Sequence, residues 1–349
     1  MIESEQIEYQ FFGRVTIIVL MQSRRKFLTQ LMLATGGLTL LQLRLALAEP
    51  KALAALANFV QKNQDQDPGN FQFIYNNPGL KAEFFPFLQN VYHLYPEKKF
   101  HDLIAAASKH LSSDQDIYSN LLKSIHTIKP ILGDLTYALP ALAKQKDEIA
   151  KETARLVGER KKFNGYLEIG TTGRYSKSLE KLLQLDGDVA LLNFTEPTFD
   201  PSDIAERGQL FKLGRYIPLN DYEPIPVTAA KDGAFELVTN YIGFHHCPLP
   251  KLANYIESVR RVLAPGGLLI LREHDVATEN VDRIAALAHD VFNVGLNTSW
   301  DRNHSELRHF RSLQDWRDLL KTFGLESQGQ VIFQDGDPTK NGLLAFRKV

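Results

Sequence analysis

The stretch GYLEIGTTGRYSKSL, residues 165–179, reads as a buried strand, a glycine turn and the opening of a helix. The apolar run carries an acid near its end, Glu168, and Gly170 and Gly173 flank two threonines. Such a turn lets backbone N–H groups come close to a ligand at a helix N-terminus. The single G-x-x-G spacing is less than the G-x-G-x-x-G of a dinucleotide loop, and no Gly-Lys-Ser/Thr follows to make a Walker loop. By itself the turn leaves open a nucleoside cofactor, and equally a strand-to-helix turn whose glycines serve only packing.

The rest of the chain narrows this. Its 349 residues, 44% of them hydrophobic, suffice for one large domain or two smaller ones with a sizeable core. Lys and Arg number 40 against 41 Asp and Glu, a formal charge of −1, so the composition carries no signal for non-specific nucleic-acid binding. A single cysteine, Cys247, excludes an internal disulfide and a thiolate metal cluster.

The segment SRRKFLTQLMLATGGLTLLQLRLALAEP, residues 23–50, carries Arg24-Arg25, then an apolar run with a Gly-Gly pair, then Ala46-Leu47-Ala48 as a small-x-small cleavage pattern. It resembles a twin-arginine export signal. Residues 1–48 are therefore expected to be a signal region, with Met21 as the natural start and cleavage after Ala48. The expected location is the periplasm or beyond, an uncleaved anchor or a cytoplasmic protein being the alternatives. Contact with a membrane is expected only through this segment.

Residues 49–160 read as a helical domain. The segments at 51–63, 100–111 and 117–128 repeat apolar residues at three-to-four spacing, and Pro86, Pro96, Pro130 and Pro140 punctuate them. A charged helix, 144–163, leads into the strand at 166. From 161 to 349 the rhythm is strand, loop, helix. The continuous apolar runs ALLNF, FELV and GLLIL mean strands covered on both faces, hence a mostly parallel sheet with helices on each side. A late helix at 315–325 and a closing hairpin at 329–349 complete the α/β unit.

Four motifs in order give this unit a resemblance to the class I S-adenosylmethionine-dependent methyltransferases. YLEIGTTG (166–173) resembles their first motif, PLNDYEPIP (218–226) the segment after strand three, AFELVTNYIGFHH (234–246) the strand-four motif, and VRRVLAPGGLLILREHD (259–275) the Pro-Gly-Gly turn and fifth strand. The resemblance implies a Rossmann-like seven-stranded sheet, S-adenosyl-L-methionine as cofactor and a small-molecule or other methyl acceptor. It implies that Gly170 and Gly173 wrap the methionine end, that Glu168 orients its amino group, and that Asp221 meets the adenine. The acid expected after strand two is replaced by Asn193, with Glu196 three residues on as substitute for the ribose. Asn240 and Tyr241 close strand four beside the cofactor.

Methyl transfer to an oxygen or nitrogen acceptor calls for a base, and two clusters on one rim offer it: His245-His246 and Arg272-Glu273-His274-Asp275. His274 is the first candidate, with Glu273 or Asp275 fixing its ring, and His246 the second. His289 and Asp290 lie downstream, but no H-x-x-x-H or H-E-x-x-H spacing occurs, so no metal is expected. The polar run 297–312 is a candidate for substrate contacts. A binding protein that uses the same fold without turnover is the alternative function.

Overall fold

The computed structural model describes residues 69–130 and 138–349. The signal region with its start at Met21, and the helix expected at 51–63, lie outside the described residues.

Seven strands form one sheet: β1 (Lys162–Ile169), β2 (Gln184–Asn193), β3 (Arg215–Pro218), β4 (Phe235–Asn240), β5 (Leu263–His274), β6 (Leu325–Phe333) and β7 (Asn341–Lys348). Their spatial order is β3-β2-β1-β4-β5-β7-β6. Strands β1 to β5 are mutually parallel, and β7 lies antiparallel between β5 and β6. The chain leaves β1 toward β2 and β3, then returns to place β4 on the other side of β1. That reversal is the switch point, where open α/β sheets bind ligands outside the carboxyl ends of the strands. Pairing sets Ile169 level with both Leu192 and Asn240, so three strand ends share one rim.

The alternation of side chains explains why these strands are apolar throughout. Leu167, Ile169, Val238, Leu269 and Leu271 enter one core. It is closed by Leu252, Ile256 and Val259 of one helix (Leu249–Val262) and Trp316, Leu319 and Leu320 of another (Leu313–Thr322). Tyr166, Leu237, Leu268 and Ile270 enter the opposite core, with Ile149 and Ala150 of the helix Leu139–Leu156 and with Leu179. The charged helix expected at 144–163 thus begins earlier and packs on the sheet.

The remaining N-terminal helices, Asn70–Tyr75, Pro78–Phe87, Glu97–His110 and Asp114–Ser124, have no core to themselves. Phe71, Ile74, Phe84, Phe100, Ile117 and Leu121 interdigitate with Ile284, Leu287, Val291 and Val294 of the helix Glu279–Gly295. Polar contacts fix the register. Asn70 Nδ2 donates to Asp290 Oδ2 at 3.0 Å, and the Tyr118 hydroxyl donates to the Thr298 carbonyl at 2.9 Å. The 279–295 helix was assigned no element in the sequence. Its start is set by Thr278, whose hydroxyl accepts from the Val281 N–H at 3.4 Å, and by Glu279 and Asp282 in the first turn. No described helix is long and apolar enough to cross a membrane.

Leu287 is fully buried where the helical layer meets this helix. Leu287→Ala is expected to lower stability by about 2–5 kcal/mol through lost burial and the residual cavity, measured as a shift in the urea midpoint.

Candidate active site

The glycine turn closes the switch point. Gly170 has φ +84°, and its N–H bonds the Leu192 carbonyl at 2.7 Å, which ties the turn to the end of β2. An L side chain there would be strained by its backbone, and its Cβ would overlap the Ile242 side chain.

Glu168 has no exposed surface. Its carboxylate accepts from the Tyr166 hydroxyl at 2.9 Å, the Ser176 hydroxyl at 2.8 Å, the Tyr175 N–H at 3.2 Å and the Thr171 hydroxyl. Four protein donors fill its acceptor capacity. These bonds staple strand, turn and helix together.

Two buried polar atoms on the same rim have no partner among the described residues, Thr172 Oγ1 and Asn240 Nδ2. Asn240 Oδ1 accepts the Gly243 N–H at 3.1 Å, which leaves the amide to present its NH₂ as donor. A buried donor without an acceptor costs about 1–3 kcal/mol. These two groups suit a ligand that brings hydrogen-bonding oxygens to the turn.

The other expected cofactor residues are scattered. Asn193, nearly buried at the end of β2, donates to the Thr195 carbonyl at 3.1 Å. Glu196 is exposed and pairs with Lys212 at 3.1 Å. Asp221 sits at φ +53° in the turn after β3, largely exposed, and pairs with Lys251 at 2.9 Å. It is a turn residue that anchors the start of the 249–262 helix. Tyr241 points to the opposite core, where its hydroxyl meets Thr153 Oγ1 at 2.8 Å.

Beyond Asn240 the rim carries the histidines. His245 Nδ1 lies 2.6 Å from Glu273 Oε2, and the Phe244 N–H bonds the other carboxylate oxygen. Gly243, at φ +83°, makes this approach possible, because a Cβ there would strike the His245 ring and Glu273. His246 Nδ1 faces the Leu307 carbonyl at 2.9 Å. His274 Nδ1 faces the Thr339 carbonyl at 2.9 Å, and its Nε2 lies 3.4 Å from His289 Nε2. So the ring of His274 is fixed by Thr339. Glu273 serves His245 instead, and Asp275 accepts the Leu313 N–H at 2.9 Å at the start of the last helix. Burial holds the imidazolium forms of His245 and His274 well below the usual histidine range and lowers that of His246 to about 4. Burial likewise raises the Glu273 carboxyl, so the His245–Glu273 contact is not a free ion pair. The two ring nitrogens of His274 thus face the Thr339 carbonyl and His289 Nε2.

His289, named in the sequence only as a downstream histidine without a ligand spacing, joins the rim. It comes from the 279–295 helix, whose periodicity in ENVDRIAALAHDVFNVG was the available signal.

A family model described as a methyltransferase domain matches residues 142–328, and the chain belongs to that family. It is an S-adenosylmethionine-dependent methyltransferase domain. No curated protein matches in sequence. Among solved structures, the chain is similar to the 1,6-didemethyltoxoflavin-N1-methyltransferase of Burkholderia thailandensis at 12% identity, over 67% of this chain and 87% of that one, with a TM-score of 0.37. It is similar to the N-methyltransferase NodS of Bradyrhizobium japonicum at 13% identity, over 62% and 98%, TM-score 0.37. An O-methyltransferase family 2 protein of Planctomyces limnophilus gives 14% identity, over 71% and 69%, TM-score 0.41.

Gly170→Ala is expected to destabilise the protein by about 1–3 kcal/mol, because alanine must adopt a left-handed backbone and displace Ile242. Denaturant unfolding without ligand measures it, and an unchanged midpoint would contradict the assignment of Gly170 to turn geometry.

Proposed function

We propose that this protein methylates a small-molecule acceptor at the carboxyl rim of β1, β4 and β5, with the cofactor seated between β1 and β4. The observation that carries this placement is the pair of unpartnered buried groups, Thr172 Oγ1 and Asn240 Nδ2, on either side of the switch point. S-adenosylmethionine, when bound, supplies an electrophilic methyl group on a sulfonium. Thr172 and Asn240 would hold its polar end, and Ile242 would have to turn away from Gly170 to admit it. Asn193 remains the candidate beside the ribose.

The histidines support catalysis by position more than by proton removal. An imidazole whose conjugate acid is depressed to about 4, as at His246, is a weak base at neutral pH. The acceptor that suits this rim is already nucleophilic, and the rim's contribution is to hold it in line with the sulfonium. The alternative, a protein that binds without turnover, is favoured by one observation: four protein donors already surround the Glu168 carboxylate.

S-adenosylhomocysteine at about 100 times its dissociation constant is expected to add about 2.7 kcal/mol to stability, read as a rise in Tm. Asn240→Asp keeps the acceptor to Gly243 but replaces the NH₂ donor with charge. It is expected to weaken binding about 10–100-fold, the equivalent of one hydrogen bond to a charged group, measured by calorimetric titration. Unchanged affinity in this variant would remove Asn240 from the site. Absence of any thermal shift in folded wild type would remove the cofactor from the rim.

We also propose export through the folded-protein route, supported by Arg24-Arg25 ahead of the apolar run and by Ala46-Leu47-Ala48. Replacing both arginines by lysine is expected to hold the protein in the cytoplasm with its N-terminus intact. Fractionation and N-terminal sequencing decide it, and a native protein that retains residues 21–48 in the soluble cytoplasm would overturn it.

A further inference from the structure

The four histidines of the rim share an arrangement that base catalysis does not explain. Each turns Nδ1 outward to an oxygen: His245 to Glu273 Oε2 at 2.6 Å, His246 to the Leu307 carbonyl at 2.9 Å, His274 to the Thr339 carbonyl at 2.9 Å, and His289 to Glu306 Oε2 at 3.8 Å. A backbone carbonyl can only accept, so Nδ1 of His246 and of His274 carries the proton and Nε2 is a bare lone pair. The His245 ring neighbours the other three, its centroid 4.2 Å from that of His246 and 5.5 Å from those of His274 and His289, and His246 lies 5.3 Å from His289. Phe310 covers three of them, its centroid 5.1–5.2 Å from those of His245, His274 and His289.

No described group answers His245: its Nε2 is buried without a partner on a ring only 4% exposed. At most one of the facing nitrogens can be relieved by the tautomer of His289. The Glu273 carboxyl is likewise buried without a described cation beside it. A cation among these nitrogens would give the unpartnered His245 Nε2 a partner. Histidine ligands whose second nitrogen donates to a carboxylate or carbonyl are the common pattern of transition-metal sites.

We propose that His245, His246 and His289 form a binding site for one borderline divalent transition ion, of the zinc class. His245, His246 and His289 each offer a nitrogen within 4.8 Å of the other two. Tetrahedral zinc with Zn–N of about 2.0–2.1 Å sets its ligand nitrogens about 3.3–3.4 Å apart. His274 flanks the trio, its Nε2 3.4 Å from His289 Nε2. His246 and His289, partly exposed, give the ion its way in. The ligands come from the turn after β4 and the 279–295 helix, so no short spacing announces the site in sequence. Imidazole ligands favour zinc, copper, iron or nickel over magnesium or calcium. Glu273 and Glu306 act as positioning residues that hold the outer nitrogens. The site stands on these side chains alone and is independent of where the cofactor sits.

The test uses the untagged full chain, stripped with chelator and dialysed against Zn²⁺ and, separately, Co²⁺. One ion per chain is expected, with visible d–d absorption of cobalt in a nitrogen environment. His246→Gln and His289→Gln, at the partly exposed positions, are each expected to weaken binding by more than about 100-fold and to abolish the cobalt bands. Glu273→Gln is expected to weaken it about 10–100-fold, as removal of an outer partner does. Circular dichroism melts establish that each variant is folded, and His304→Ala, a histidine outside the cluster, is expected to bind as wild type. A folded wild-type chain that retains neither ion overturns the proposal. So does wild-type affinity in folded His246→Gln and His289→Gln.

Discussion

The Glu168 carboxylate, fully buried beneath the β1 turn, is the constraint on which the switch point depends. Tyr166 reaches it from the same strand and also bonds Thr239 of β4 at 2.9 Å, Thr171 reaches it from the turn, and Ser176 and Tyr175 from the helix that follows. Burying a charge costs several kcal/mol, and hydrogen bonds to it return about 1.5–3 kcal/mol each. Only the full set of donors makes the burial tolerable. The turn's shape is therefore determined by one acid, and Gly170, Thr172 and Asn240 take their places around it.

A second dependence runs through the helix 279–295. One face, with Ile284, Leu287, Val291 and Val294, receives the N-terminal helices. The same helix sends His289 to the rim and Asp290 into a buried network. Asp290 accepts from Asn70 at 3.0 Å, Asn303 at 2.7 Å and Arg308 at 2.8 Å. Arg308 also pairs with Glu306 at 2.8 Å, and burial does not neutralise it because both carboxylates hold its charge. The helical layer is thus part of the site's support: it clamps the element that carries His289 and the loop that carries Glu306.

The sequence of motifs in strand order was enough to specify a parallel sheet with its antiparallel closing pair, because strands buried on both faces must be apolar throughout and the Pro-Gly-Gly and glycine turns punctuate them. It also marked which residues crowd one rim, since strand ends in such sheets converge. Partnership was not legible. Glu273 and Asp275 flank His274 in sequence, yet successive residues of a strand point to opposite faces. Glu273 therefore meets His245 across the β4–β5 gap, while Asp275 caps the last helix through the Leu313 N–H. The position of Glu168 matches a ligand contact in the family it resembles, and only the tertiary structure shows the four protein donors gathered around it.

What the sequence by itself determined is what local pattern and order can encode: the layer architecture, the glycine turn at the switch point, and the collection of histidines at the ends of β4 and β5. What the tertiary structure decided is which atoms face one another. It put the charged helix 139–156 on the sheet, drew the helices 70–128 onto 279–295, laid Ile242 over Gly170, and joined His289 to histidines 15, 43 and 44 residues earlier. These are contacts between segments far apart in the chain, fixed by burial of surfaces that no window of sequence contains together.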